Sequence, residues 1–483
     1  MDPYRLSFTR MFFQRITFLF LAVTQVLSWG GEPVSSVGRI TTPVERKSFY
    51  READSYSTRR DPDPPKYARA AGETGWDAIS PWNWLDIGLD YRFRYEYRDD
   101  DIRRPIAGLD EPLLHRTRFY LGVHDLLDPF RFAFEMQDSR RYNGNFGKDN
   151  RDINEFEVIR LYAELYFDDL FGRDALGNER PLSLRYGIHN FEFLDRRLLG
   201  NNQWRNTANT FLGFQAAVGQ EANEWSVDLL AVQPLQRLLY EWDRPVEGQW
   251  VWAAIGHWRG WSDVMTLEPF YLAFTDSEVS SGRVVHSPGM RAYGRLGDTG
   301  FDFDLNGIYQ FGQNGSLDVA AWAATAEVGY RWELPWKPRL SVFYGQATGD
   351  ADPNDGTDNR FERFFGFARP WSANDYIVFE NIRTPKLRLE MAPHERFRFD
   401  LGHSWYWLDS PTDRYLLDSL RDPTGSNGSF VGHEFDVRFR WQATSKMEVI
   451  LGYAHFFPGD FVRNTIRPGD TDFAYLEVTV NAF

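Results

Sequence analysis

An all-β transmembrane barrel of about eighteen antiparallel strands is the fold this sequence predicts, with short periplasmic turns and long extracellular loops. Three observations carry the prediction. Segments of about ten to fifteen residues alternate apolar and charged side chains, so that each strand has a greasy face and a charged one. The connections between them alternate in length, short then long. Hydrophobic residues make up 42% of the chain and aromatics 17%, yet the mean hydropathy is −0.50. That combination arises when the two kinds of residue share each strand. A secreted sandwich or propeller would not carry such long apolar rows opposite charged rows on nearly every strand.

Residues 1–30 read as a secretory signal peptide. Arg5, Arg10 and Arg15 precede the apolar run Ile16–Gly30, and Ser28 and Gly30 supply small residues before a cut at Gly31. Removing that segment, which carries +2, takes the formal net charge from −15 to −17. An acidic total argues against nucleic acid as a partner, whereas a local row of arginines keeps an anionic solute open. Cysteine is absent, which excludes disulfides, thiolate metal sites and cysteine nucleophiles. Residues 31–80 are rich in Ser, Arg, Asp and Pro, and Arg59–Tyr67 reads RRDPDPPKY. This stretch is expected to be a polar periplasmic tail or linker, loosely ordered, with packing as a plug the alternative.

The barrel is assigned to 81–483. In its first strand, 84–98, Leu85, Ile87, Leu89, Tyr91, Phe93, Tyr95 and Tyr97 form one row. Asp86, Asp90, Arg92, Arg94, Glu96 and Arg98 form the other. Further strands are expected at 114–126, 129–141, 153–168, 181–193, 210–219, 223–232, 250–261 and 264–274. The rest fall at 287–297, 300–312, 318–332, 338–349, 382–391, 395–408, 430–443, 446–457 and 473–483. Short turns recur at 127–128, 220–222, 262–263, 298–299, 392–394 and 444–445. Longer loops separate them, such as 99–113, 194–209, 233–249, 350–381 and 409–429. Residues 169–180 make an over-long turn and 313–317 a short loop. Strands of this length cross hydrocarbon when tilted, and only closure satisfies their backbones there. The last strand, FAYLEVTVNAF, ends on Phe483, the terminal aromatic expected of barrels inserted by the outer-membrane assembly machinery. Leu476, Val478 and Val480 share one phase and Phe483 the other, so a bulge or a frayed end is expected. The place implied is the outer membrane of a diderm bacterium.

Three stretches resemble the alginate export family of eighteen-stranded outer-membrane exporters. In Arg185–Phe214, Arg197-Leu198-Leu199-Gly200 and Trp204-Arg205-Asn206-Thr207 match two family elements. Phe211 and Gly213 match a third, with Leu212 where Asp is usual, and Ile188 and His189 stand where Arg and Gln are usual after Gly187. The second stretch is Gly345–Trp371 and the third Leu451–Asn464. The resemblance implies a passive outer-membrane conduit for an anionic, alginate-like polysaccharide or oligosaccharide. The alternative on the same fold is a general or anion-preferring porin for small solutes. Export of long chains implies a periplasmic partner, since this chain has no helical repeat to serve as a scaffold.

Alternation assigns lumen-facing arginines independently of family: Arg92, Arg94, Arg116, Arg118, Arg131, Arg160, Arg185, Arg388, Arg396, Arg398, Arg438 and Arg440. Lumen acids include Asp90, Glu135, Glu164, Glu390, Asp400, Glu434 and Asp436. Guanidinium forks match carboxylates, so such rows either attract uronates or neutralise wall acids. Arg196 and Arg197 are expected to anchor a loop folded into the pore. Asp350, Asp352 and Asp355 resemble a calcium loop, and Ca2+ there is the one cofactor expectation. The spacing departs from the helix–loop–helix pattern, because Gly356 and Glu362 each fall one position late. The other reading is a solvated acidic loop. No nucleophile elbow, zinc motif or phosphate loop marks an enzyme.

Overall fold

The computed structural model describes residues 62–104, 106–366 and 371–483, without the side chains of 417–419. The signal-peptide reading and residues 31–61 of the tail lie outside the described residues. Eighteen long strands form the wall. They are β1 Leu85–Asp99, β2 Leu113–Leu127, β3 Phe130–Tyr142, β4 Asn154–Phe167, β5 Leu182–His189 and β6 Phe211–Val218. Next come β7 Trp225–Gln236, β8 Gln249–Trp258, β9 Met265–Asp276, β10 Arg283–Arg295, β11 Phe301–Asn314 and β12 Leu317–Arg331. The last are β13 Arg339–Ala347, β14 Ile382–His394, β15 Phe397–Trp407, β16 Phe430–Thr444, β17 Met447–Pro458 and β18 Thr471–Asn481. Each pairs antiparallel with the next, and β18 returns to β1 from Asp90↔Asn481 to Asp99↔Asp472. Closure leaves no edge to meet lipid.

The alternation read from β1 holds. Asp86, Asp90, Arg92, Arg94, Glu96 and Arg98 are buried inside, while Leu89 and Tyr91 stand exposed on the lipid face. β18 stops at Asn481, and Phe483 leaves the ladder to set its ring against Trp76 at 5.0 Å. The frayed end therefore accounts for its phase.

Two features depart from expectation. On β7–β9 the inner row is charged toward the periplasm, at Asp228, His257 and Glu268, and again at Asp276 on the extracellular end of β9. Between these levels it is apolar: Leu230, Val232, Val251, Ile255, Phe270, Leu272 and Phe274 join a buried core. The extracellular loops 190–210 and 348–381 fold inward and cover this row with Leu198, Leu199, Phe361, Trp371 and Phe379. Apolar burial of this kind, worth about 1.5–3 kcal/mol per large side chain, seats both loops in the lumen. They also meet each other. The Phe365 N–H donates to the Leu198 carbonyl at 3.0 Å, and a Cβ on Gly366 would lie 2.0 Å from the Arg197 carbonyl, so only glycine fits.

The second departure is the N-terminal segment. Residues 62–80 are not a loose tail. Ala68–Ala70 pairs with β1 at Asp86–Gly88, below the end of β18, and Tyr67 packs over Gly88 on the lumen side.

Candidate functional site

The lumen-facing arginines fall into groups according to what meets them. On β1 and β2 they hold the inward loop. Arg92 donates to the carbonyls of Gln203 at 2.9 Å and Arg205 at 2.8 Å. Arg94 donates to the Trp204 carbonyl at 2.6 Å, lies 4.2 Å from the Trp204 ring centroid and reaches Glu477 at 3.2 Å. Arg116 donates to the Gln203 carbonyl at 3.1 Å, and Arg118 to the Gln203 side chain at 2.6 Å and to Gln137 at 2.7 Å. Asn206 completes the fastening. Its amide donates to the carbonyls of His115, Arg140 and Asp152, and its own carbonyl accepts from Ser139 at 2.6 Å. The Arg-Leu-Leu-Gly and Trp-Arg-Asn-Thr elements thus shape the pore by holding a loop inside it. Arg197 lies on that loop. It pairs with Asp195 at 3.1 Å and lies over the Phe343 and Trp371 rings.

Elsewhere the arginines knit neighbouring strands. Arg388 of β14 pairs with Asp400 of β15 at 2.6 Å and Asp436 of β16 at 2.9 Å, and Arg438 meets Asp400 at 3.0 Å. Arg160 pairs with Glu135 at 3.1 Å and Arg185 with Glu164 at 2.8 Å. Two members of this belt were missed in the sequence. Arg291 pairs with Asp304 and Glu268, and Arg339 with Asp302, Glu327 and Glu390. Strand alternation carried the signal for both. Arg131 sits at the periplasmic rim, paired with the turn carboxylates of Asp125 and Asp128.

Arg396 is corrected. It is a turn residue, because β15 begins at Phe397, and it lies outside the wall. Arg398, one turn of alternation higher, is exposed and stands directly opposite Arg440 across the β15–β16 ladder. Like charges set opposite one another repel, and the wall carboxylate Glu448 shares the field of both.

A second basic region lies at the extracellular end, in a crevice between loops 100–112, 143–153 and 190–210 and residues Ala373, Asn374 and Asp375. Arg103, Arg104, Arg151 and Arg205 line it with Trp204 and Phe473. Burial, with the neighbouring Arg98 charge, lowers the pKa of Arg104, and burial with Arg103 lowers that of Arg151. The acids there are already engaged. Arg103 holds Asp101 well below the usual carboxylate range, although burial pushes it up.

The three candidate calcium ligands do not converge. Asp352 and Asp355 accept from the backbone N–H of Asn354 and Thr357, each two residues on. The Asp350 N–H donates to Asp413 at 2.9 Å. Among the described residues no group of three or more His, Cys, Asp or Glu is placed to hold a metal ion.

The model of the alginate export family matches residues 83–472. No curated protein sequence is a match. Solved structures similar to the barrel include three Pseudomonas aeruginosa outer-membrane proteins. OccK3 (OpdO) has a TM-score of 0.56 at 14% identity, over 82% of this chain and 95% of that one. OccK8 (OprE) has a TM-score of 0.53 at 13% identity, over 82% and 98%. OprD has a TM-score of 0.51 at 10% identity, over 82% and 93%. At these identities the likeness is one of fold. The family match runs from before β1 to the start of β18 in a closed barrel, and the protein belongs to the alginate export family of outer-membrane channels.

Proposed function

We propose that this channel is a passive conduit for an anionic polysaccharide or oligosaccharide, with uronate carboxylates attracted by lumen arginines. The observation that carries the reading is the exposed Arg398 at the periplasmic mouth. The arginine-rich crevice at the extracellular end supports it from the other side. A conductor must bind strongly enough to admit its solute and weakly enough to release it. Exposed guanidinium groups meet that need better than closed ion pairs. A passive pore takes its direction from the gradient and from periplasmic partners. A second reading, an anion-preferring porin for small solutes, is favoured by the two loops that fold into the lumen.

Single-channel recording in a planar bilayer under a salt gradient tests the reading. The expected result is an anion-selective reversal potential, with block by an oligouronate and none by a neutral oligosaccharide. Anion preference without block turns the choice to the small-solute porin. Conductance with neither overturns both.

A further inference from the structure

Arg160 and Arg185 meet a carboxylate that does not come from the barrel. The Asp63 side chain lies between them, pairing with Arg160 through one oxygen and with Arg185 Nη1 at 2.5 Å through the other. The Tyr162 hydroxyl donates to the second oxygen at 2.9 Å. We propose that Arg160, Arg185 and Tyr162 form a carboxylate-binding site on the lumen wall, and that Asp63 is an internal occupant which an anionic solute displaces, releasing the segment 62–67 from the periplasmic half of the pore. This deepens, and rests on, the anionic-solute reading.

Several observations distinguish an occupant from a fixed brace. Each arginine keeps a wall carboxylate of its own, Glu135 for Arg160 and Glu164 for Arg185, so the belt stays paired when Asp63 leaves. Pro62, Pro64 and Pro65 flank Asp63 and lack N–H groups, which keeps the segment from joining a ladder. The segment is also tied by the Tyr67 hydroxyl on Glu135 at 2.6 Å, by the packing of Tyr67 and Ala68 against Tyr120, Ala133 and Tyr162, and by the three-residue pairing of Ala68–Ala70 with β1. The Asp63 side chain keeps 28% exposure, so dissolved solute reaches the site. Burial pushes its carboxyl up, but the charges of Arg160 and Arg185 hold it at about 2. It therefore stays ionised in any physiological medium, and release comes by competition, not protonation.

The chain has no cysteine, so one introduced thiol reports on the segment without background. Ala133→Cys, a wall position buried with Tyr67 and Ala68, in proteoliposomes and labelled with a water-soluble maleimide, is expected to react at least threefold faster when millimolar glucuronate is added, and unchanged with glucose. The double variant Ala133→Cys with Asp63→Asn is expected to react fast already and to ignore glucuronate. A labelling rate that glucuronate leaves unmoved overturns the proposal, as does slow labelling in the double variant. The readout needs no conduction. A pore blocked by oligouronate whose labelling ignores glucuronate defeats this inference alone. Labelling that responds in a pore without block defeats the conduit reading alone.

Discussion

The β1–β2 wall and the β14–β16 wall use the same residue type in different ways. On β1 and β2, the guanidinium groups of Arg92, Arg94, Arg116 and Arg118 spend their donors on the backbone and Gln203 side chain of an inward loop. On β14–β16, Arg388 and Arg438 spend theirs on Asp400 and Asp436 of neighbouring strands, while Arg398 stays exposed. An arginine that holds carbonyls makes a constriction, one held by a cross-strand carboxylate makes wall, and one left in solvent can meet a solute. Selectivity should therefore track exposure rather than the number of arginines.

The largest break in this comparison comes from the β1 side. Arg92→Ala with Arg94→Ala leaves three loop carbonyls and the Glu477 carboxylate without these donors. Breaking buried pairs of this kind costs about 3–5 kcal/mol. Loop 190–210 is then expected to leave the lumen, with conductance rising severalfold and the melting temperature falling. Unchanged conductance would show that the loop does not narrow the pore.

The β15–β16 side should respond in the opposite way. Arg398→Glu with Arg440→Glu is expected to cost less stability than the β1 variant, because Arg398 is exposed and Arg440 half-buried. The anion-to-cation permeability ratio read from the reversal potential is expected to fall about tenfold. If the double variant keeps its anion preference, the solute is attracted elsewhere, and the extracellular crevice becomes the place to test.

The two walls also show what a sequence can reveal. All eighteen strands were legible because alternation has a period of two and a lipid face tolerates no interruption. Arg291 and Arg339 obeyed the same rule and were recoverable from it. The partners were not. Arg92 and Arg388 sit in similar alternating strands, yet one meets Gln203 from a loop 111 residues away and the other Asp400 from the next strand. The apolar inner row at Leu230, Val232, Val251 and Ile255 was the missing signal. A strand greasy on both faces must be covered on the inside, which points to inward loops. Asp63 had no such signal, because the prolines around it read as unstructured chain although side-chain pairing alone holds it.

The smallest effect sharpens the role of the second inward loop. Glu362 lies on loop 348–381, bonded to Arg283, and its backbone exchanges hydrogen bonds with the Gln310 side chain at 2.8 Å each way. Burial pushes its carboxyl up to about 7, with the Arg283 charge opposing and Glu380 adding. A carboxyl raised in the folded state stabilises its surroundings most when protonated. That contribution is complete below the unfolded value near 4.5 and is lost as pH rises through about 7. With the side chain 27% exposed, the loss is screened to about 1 kcal/mol. Amide exchange across 359–366 is therefore expected to quicken about fivefold from pH 6 to pH 8, beyond the intrinsic chemical change. Glu362→Gln should flatten that difference. If the variant keeps the full pH response, the loosening belongs to another group, and loop 348–381 is seated by its apolar contacts with β7–β9 alone.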